Sequence, residues 1–391
     1  MKICILSTSY PRSKDDYWVP FMHSWARELA KKEDVTVVTS GGASTKDYEV
    51  RDNVKMHRFN YFCPRNLQVL TYTGGMGESF NQSLLAKLQA PFFMLSFMLK
   101  SLKIAKKCDV INAHWTLSGL VALPLKWLYK KPIVLTEHGG GIRTLPKWLN
   151  KFIVKRMDAV TSAHHDMIEV VRKMGAKNVV DIKNFLNEEK FLKSHDKAVI
   201  KKRLKLKNEH VVTFIGRFEP LKDPLTFVNS IPYVLKSMRN VKFIMVGDGH
   251  LKSEIESQIK ELAIGKHIIL PGPTPNVDDY LAISDVFIAC SATENCFSTT
   301  ILEAMLSGVP CIITRAGMTE QFFIHKQDAY LVEKKNPKLL GKAIIDLLKD
   351  KNLRKKLSQN ELMFLEKYEF RNKAIINKII NTLKYAIKGE H

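Results

Sequence analysis

The residue types best suited to chemistry gather in Ser291–Pro310, SATENCFSTTILEAMLSGVP. Ser298, Thr299 and Thr300 precede an apolar segment, Ile301–Leu306, that stops at Gly308 and Pro310. Hydroxyl residues at that position are capping types, so the spacing predicts a helix whose first turn opens onto the preceding loop. The spare backbone N–H groups and the dipole of such a helix attract an anion. Glu294 and Glu303 bracket the site. N–H donors suit a diphosphate, and carboxylates accept from sugar and ribose hydroxyls, so the pattern predicts a sugar nucleotide. Arg217 and Lys222 lie just past the apolar run VVTFI, in GRFEPLKDP. They could neutralise the same diphosphate, Arg as a fork and Lys as a point charge, or they could be two solvated loop cations.

Two histidines sit at predicted strand ends in the first half. DVINAH ends on His114, and PIVLTEHGGG places His138 before three glycines that permit close ligand approach. A lone histidine of this kind more often makes a local hydrogen bond than a catalytic contact. His164 and His165 are adjacent, and on a helix would point about 100° apart, a poor chelating pair. No metal is expected there.

The elements that must position these residues alternate strand and helix. Lys2–Ser7, a loop Thr8–Trp18, a helix from Val19 and the strand Val35–Thr39 make a βαβ opening, hence a parallel sheet whose ligand edge is at the strand ends. Met56–Phe59, Asp109–His114, Ile133–Thr136, Asp158–Thr161 and Val179–Ile182 read as further strands, with Ser162 capping the helix through Lys173. TYTGGMG, at 71–77, lacks the ending of a P-loop and reads as a connecting loop. APFFMLSFMLKSLKIAKK, at 90–107, has two readings: an interfacial membrane helix, or a helix packed on the sheet with lysines at its C-terminal end. Asn184–Phe191 reads as a turn, and the charged stretch Lys193–Lys207 as the domain boundary. The second half restarts the pattern with strands at Val211–Ile215, Lys242–Val246, His267–Leu270, Val286–Ala289, Cys311–Thr314 and Asp328–Val332. Gly247 follows the second of these. Pro271 and Gly272 open a loop whose exposed backbone could read a nucleobase. The expected fold class is α/β, with two Rossmann-like parallel-sheet domains facing across a cleft. Residues 1–195 form the acceptor-side domain and 196–372 the nucleotide-sugar domain, with a C-terminal helix, 373–391, packing back on the first.

Composition sets outer limits. The chain has 391 residues, 45% of them hydrophobic, enough for two α/β cores. Its six cysteines are scattered without a CxxC pair, which predicts thiols in a reducing compartment. The first residues read as a strand rather than a signal peptide, and no apolar run is long enough to span a membrane. The formal net charge is +22. Its lysines are spread along helices rather than gathered in an arginine-rich tract. A generally lysine-rich composition or an anionic membrane surface therefore accounts for the charge better than nucleic acid does.

GRFEPLKDP, VGDGHLKSEIE, LPGPTP and ENCFSTTILEAMLSGVP occur in an order and at intervals that resemble the donor half of the family-4 retaining glycosyltransferases of the GT-B fold (glycosyl transferases group 1). MKICILSTSYP, VTVVTS, DVINAHW, PIVLTEHGGG and DIKNFLNEEKF resemble the acceptor half, so the likeness covers essentially the whole chain. It implies a hexosyltransferase of polysaccharide or glycolipid biosynthesis, working without metal or other cofactor. Such an enzyme would be cytoplasmic, with peripheral placement at the inner membrane face left open. By this resemblance Gly216, Arg217, Lys222, Gly247, Pro271, Gly272, Ser298, Thr299 and Thr300 hold the donor, and Glu303 accepts from its ribose. Glu294 contacts the sugar, and His138 sits beside the reacting carbon. Two departures stand out. Eight residues instead of the usual seven separate the two glutamates, so Asn295 competes with Glu294. The usual Gly-Gly of the first loop is replaced by a bulkier, acidic run with Asp15, Asp16 and Tyr17, which together with His114 makes up the acceptor side. The alternatives are a sugar-nucleotide epimerase of the same fold, or a non-catalytic basic protein binding anionic surfaces.

Overall fold

The structure is a computed structural model. It describes all residues except 14, 15, 17, 18, 72–75, 77, 78, 81, 82, 139–141, 143, 144, 164, 184, 293–297, 318, 390 and 391, and describes the backbone alone at residues 20, 165 and 166. The chain divides into two compact units, Met1–Phe185 with Asn372–His391, and Leu186–Arg371.

The first unit carries strands β1 (Lys2–Ser7), β2 (Asp34–Ser40), β3 (Tyr48–Arg51), β4 (Val54–Phe59), β5 (Val110–His114), β6 (Ile133–Glu137), β7 (Ala159–Ser162) and β8 (Val179–Asp181). They form one sheet in the order β3-β4-β2-β1-β5-β6-β7-β8. All pairings are parallel except the β3–β4 hairpin at the edge. β5 is a continuous buried run, and so is β1 beyond the exposed Lys2, as expected of strands covered on both faces. One face is covered by α2 (Leu84–Ala105), α3 (Trp115–Tyr129) and α4 (Lys147–Val154), the other by α1 (Pro20–Ala30) and the C-terminal helix Asn372–Lys388. α5 (His165–Lys173) links β7 to β8. The C-terminal helix presents Ile375, Ile376, Ile379, Ile380 and Leu383 to the core that holds Trp25 and Ile3. Four isoleucines and a leucine at helical spacing bury it there.

The second unit opens with two short helices, α6 (Glu188–Leu192) and α7 (Lys197–Arg203). Its strands are β9 (His210–Ile215), β10 (Val241–Val246), β11 (Ile268–Ile269), β12 (Val286–Ala289), β13 (Cys311–Thr314) and β14 (Tyr330–Val332), all parallel, in the order β11-β10-β9-β12-β13-β14. Helices α8 (Pro224–Ser237), α9 (Lys252–Glu261), α10 (Val277–Ala282), α11 (Thr299–Leu306), α12 (Thr319–Phe322), α13 (Pro337–Lys349) and α14 (Lys351–Lys367) connect and flank them, and the C-terminal helix is α15 (Asn372–Lys388).

Two readings of the sequence change here. The stretch Asn184–Phe191 is not a turn throughout. Asn187 accepts from the Lys190 N–H and starts α6, whose first turn carries Glu188 and Glu189. Lys193–Lys207, read as the domain boundary, contains α7, which Asp196 caps by accepting from Ala198 and Val199. Leu186, Phe191 and Ile200 join the second unit's core, so the division between units falls at Phe185/Leu186, earlier than 195/196. Ser162 is the last residue of β7, and its hydroxyl donates to the Glu137 carbonyl at 2.9 Å.

Candidate functional site

In both sheets the strand order reverses once. In the second unit the chain moves outward from β9 to β11, then restarts on the other side with β12. The loops leaving β9 and β12 therefore diverge at their carboxyl ends, which is where ligands bind in doubly wound sheets.

The loop after β9 is bound to the loop after β10 through the backbone. The Gly216 N–H donates to Val246 O at 3.0 Å, Phe218 N–H to Asp248 O at 2.8 Å, and Leu251 N–H to Phe218 O at 2.9 Å. Gly247 makes this approach feasible. A Cβ there would stand 1.9 Å from Gly216 O. Arg217 projects from the loop with its side chain 70% exposed, and Nη1 donates to Glu219 at 3.1 Å. Lys222 closes the short turn Pro220–Lys222, its N–H donating to Glu219 O at 2.9 Å. The loop after β12 is tied to the same turn, as Ala292 N–H donates to Leu221 O at 3.0 Å. Thus Gly216, Arg217, Lys222, Gly247 and the approach to α11 share one strand-end edge.

α11 begins at Thr299 with Ser298 in the capping position. Its hydroxyl does not cap the helix as expected and lies 2.9 Å from the Thr300 hydroxyl instead. The Ser298 carbonyl accepts from Ile301 and Leu302, so the helix itself does not use the N–H groups of Thr299 and Thr300. Glu303 follows on the next turn. Burial pushes its carboxyl up to about 7, with Lys190 opposing and Asp278 adding to the rise. α6 packs against α11 and brings Lys190 there. Sequence reading missed Lys190, although Asn187 followed by two glutamates is a helix-start signature. Pro271 and Gly272 follow β11, two strands away from β9 on the same edge. Gly272 adopts φ +79°, and a Cβ added there would meet no atom within 4 Å. Glu294 and its rival Asn295 lie outside the described residues.

Glu303 carries a test of its own. Its raised pKa means that the folded chain holds a proton there which the unfolded chain lacks between about 4.5 and 7. The associated stability is complete below about 4.5 and is lost as pH rises through about 7. Glu303→Gln removes that loss. At pH 8 the variant should therefore be more stable than the parent by about 3 kcal/mol, and at about pH 4 nearly equal, by urea unfolding. Equal stabilities at both pH values would contradict this.

In the first unit the reversal lies between β1 and β5. His114 ends β5 and His138 follows β6, and their rings stack with centroids 5.1 Å apart. His114 does not reach the surface as an acceptor-side residue would. It is fully buried, and its two nitrogens are engaged by neighbours. Its Nε2 lies 3.0 Å from Asn112 Oδ1, and its Nδ1 2.8 Å from His138 Nε2. The Asn112 amide nitrogen donates to Val134 O and Thr136 Oγ1, so its oxygen faces His114 and accepts. Burial, and then the neighbouring His138, hold the His114 pKa well below the usual range. Neutral His114 must then donate from Nε2 and accept at Nδ1, which makes His138 donate from Nε2. In its neutral form His138 keeps its lone pair on Nδ1. Long-range 1H–15N correlation at pH 7.5 should show a protonated Nε2 on His138, and a protonated Nδ1 with bare Nε2 would contradict the relay. Sequence reading picked out both histidines but not Asn112, which alternation alone places in a buried strand.

Of the loop after β1, Asp16 is described, and Asp15 and Tyr17 lie outside the described residues. The Asp16 carboxylate accepts from the Arg12 N–H at 2.9 Å. The loop is pinned from the β3–β4 hairpin. Buried Arg58 donates to Pro11 O at 3.0 Å and to Glu49 at 3.1 Å, and Arg51 donates to Ser13 O at 3.1 Å. Among the described residues, one group has metal-compatible spacing, His195, Asp278 and Asp279. Its carboxylates are already paired with Lys190, Lys193 and Arg203. His164 and the His165 side chain lie outside the description.

The two halves thus define a class, a chain of two doubly wound units that each carry polar loops at a strand-order reversal. The Glycosyl transferases group 1 profile matches residues 196–362, and that of Glycosyltransferase Family 4 matches residues 20–190. The chain belongs to the family-4 glycosyltransferases, as its motifs led us to expect. The N-acetyl-alpha-D-glucosaminyl L-malate synthase of Bacillus anthracis is 26% identical over 303 residues, 74% of this chain and 78% of that protein. A Campylobacter jejuni alpha-1,4-N-acetyl-D-galactosaminyltransferase, named for a diNAcBac-PP-undecaprenol-linked glycan, is 26% identical over 329 residues, 83% and 87% of the two chains. Anabaena HepE, solved in complex with UDP, matches with a TM-score of 0.71 at 17% identity, over 98% of this chain and 100% of its own. The shared fold is GT-B.

Proposed function

We propose that this glycosyltransferase moves a sugar from a nucleotide-sugar donor to a glycan or lipid-linked acceptor, with retention at the anomeric carbon and without a metal ion. The observation that carries the reading is the glycine-locked loop pair that presents Arg217 and Lys222 on the same strand-end edge as the start of α11. Two cations and spare helix N–H groups suit a diphosphate. The bond from the anomeric carbon to the phosphate oxygen breaks, and a bond to the acceptor oxygen forms on the same face. The acceptor's proton goes to the departing diphosphate oxygen. Arg217 and Lys222 stabilise the negative charge that develops there, the work a divalent cation does elsewhere. Glu303 accepts from the ribose hydroxyls in its ionised form, so donor affinity should fall as pH drops below about 7. Family resemblance gives His138 to the transferred sugar and the first acidic position to Glu294 or Asn295. The UDP in the HepE structure and the lipid-linked glycan in the Campylobacter name support the donor and acceptor classes. Such a reaction belongs on the cytoplasmic side.

The test is incubation of the full chain with a panel of sugar nucleotides and an undecaprenyl-diphosphate-linked acceptor, with excess chelator. NMR of the product should show the donor's anomeric configuration, and the rate should not depend on chelator. An inverted product or loss of activity with chelator would refute those two features. Release of an epimerised sugar nucleotide without acceptor would point to an epimerase.

A further inference from the structure

α2 has apolar side chains on two opposite faces. Ala86, Gln89, Phe93, Phe97, Ser101 and Ala105 face the sheet and are buried. Leu84, Leu88, Phe92, Leu95 and Leu99 are all more than half exposed, from 51% at Leu95 to 74% at Leu84. At about 100° per residue these five fall within an arc of about 80°, centred opposite the buried face. Solvent-facing helix surfaces are ordinarily polar, so a continuous outer stripe of this kind implies a cover. Trp127 and Leu128, also exposed, extend the apolar surface onto α3, which packs beside α2 on the same side of the sheet.

The surrounding charge selects the cover. From Leu84 to Lys131 there are eight lysines and a single acid, Asp109. Lys87, Lys103, Lys106, Lys107 and Lys130 are exposed. A second copy of the chain meeting this face symmetrically would bring like charges together. An anionic bilayer accepts both features. The leucines and Phe92 enter the headgroup boundary, the lysines lie against lipid phosphates, and Trp127 sits at the level its amphipathic ring prefers. No helix among the described residues is long and apolar enough to cross a membrane, so the contact is a surface one. We infer that the outer face of α2, with the end of α3, is the docking surface by which this enzyme binds an anionic lipid bilayer. The inference does not depend on the assignment of the donor site.

The experiment is co-sedimentation of the full chain with vesicles of phosphatidylcholine containing about one-third phosphatidylglycerol, against phosphatidylcholine alone, at low and high salt. The parent should bind the anionic vesicles at least tenfold more tightly, and high salt should weaken that binding. Leu88→Ser/Phe92→Ser/Leu95→Ser should lose at least tenfold in partitioning, and Lys103→Glu/Lys106→Glu several-fold, with thermal midpoints and nucleotide affinity unchanged. Binding that the triple variant leaves intact would overturn the inference. So would absence of binding at low salt, or a parent dimer that the triple variant converts to monomer without either form binding vesicles.

Discussion

With Arg217 and Lys222 both replaced by alanine, the chain should fold and should transfer sugar at a rate lower by about 10^4-fold or more. Removing one preorganised group that stabilises developing charge typically costs about 10^2 to 10^3 in rate, and these two would act on one leaving diphosphate. Folding should survive because Arg217 is 70% exposed and its pairing with Glu219 is a surface one. Such pairs contribute about 0 to 1 kcal/mol. The bond from the Lys222 N–H to Glu219 O is a backbone one, which alanine retains. Steady-state kinetics with the correct donor, alongside thermal unfolding, measures both halves of this expectation. Transfer within tenfold of the parent would remove these cations from the mechanism.

Gly247→Ala should damage the same site by a different route. The new Cβ would stand 1.9 Å from Gly216 O, at a backbone φ of +152° that side-chain-bearing residues rarely adopt. The obstructing atom is backbone, so no side-chain rotation relieves it. The loops after β9 and β10 must part, which breaks the bonds from Gly216 to Val246 and from Phe218 to Asp248. A loss of about 3 kcal/mol or more in stability is expected, from steric strain and unpaired backbone groups. Nucleotide affinity should drop at least 10^2-fold, because Arg217 and Lys222 move with their loop. Gly272→Ala is the control. Nothing lies within 4 Å of its Cβ, and only the φ of +79° is unfavourable. That costs about 1–2 kcal/mol. Denaturant unfolding of both variants should separate them clearly, and equal losses would contradict the steric account.

Much of this was legible from residue types. Parallel buried strands declare themselves as short apolar runs, so VVTFI and ICIL were placed within a residue or so of β9 and β1. Glycine and proline marked the end of α11. The edge strand β3 was not legible, because YEVR has no period that separates it from loop. The short helices α6 and α7 were hidden in charged sequence, where the stabilising features are the Asn187 and Asp196 caps rather than an apolar stripe. The site was half legible for the same reason. Arg217, Lys222 and Glu303 announce themselves by charge beside a strand end or helix start. Asn112 and Lys190 matter through partners, His114 and Glu303, that only the folded chain brings into the right geometry. The outer stripe of α2 sits between these cases. Its apolar density was visible in APFFMLSFMLK, but which residues face the sheet depends on helix phase, and two apolar faces blur that phase.

The most direct measurement is hydrogen–deuterium exchange of the full chain with and without a saturating nucleoside diphosphate, tried over the common bases. The account predicts that a bound nucleotide slows exchange at residues 216–222, at 246–251 and at 298–303 together, and that Arg217→Ala/Lys222→Ala abolishes this protection. A nucleotide that binds while leaving all three segments unprotected would show that the diphosphate lies elsewhere.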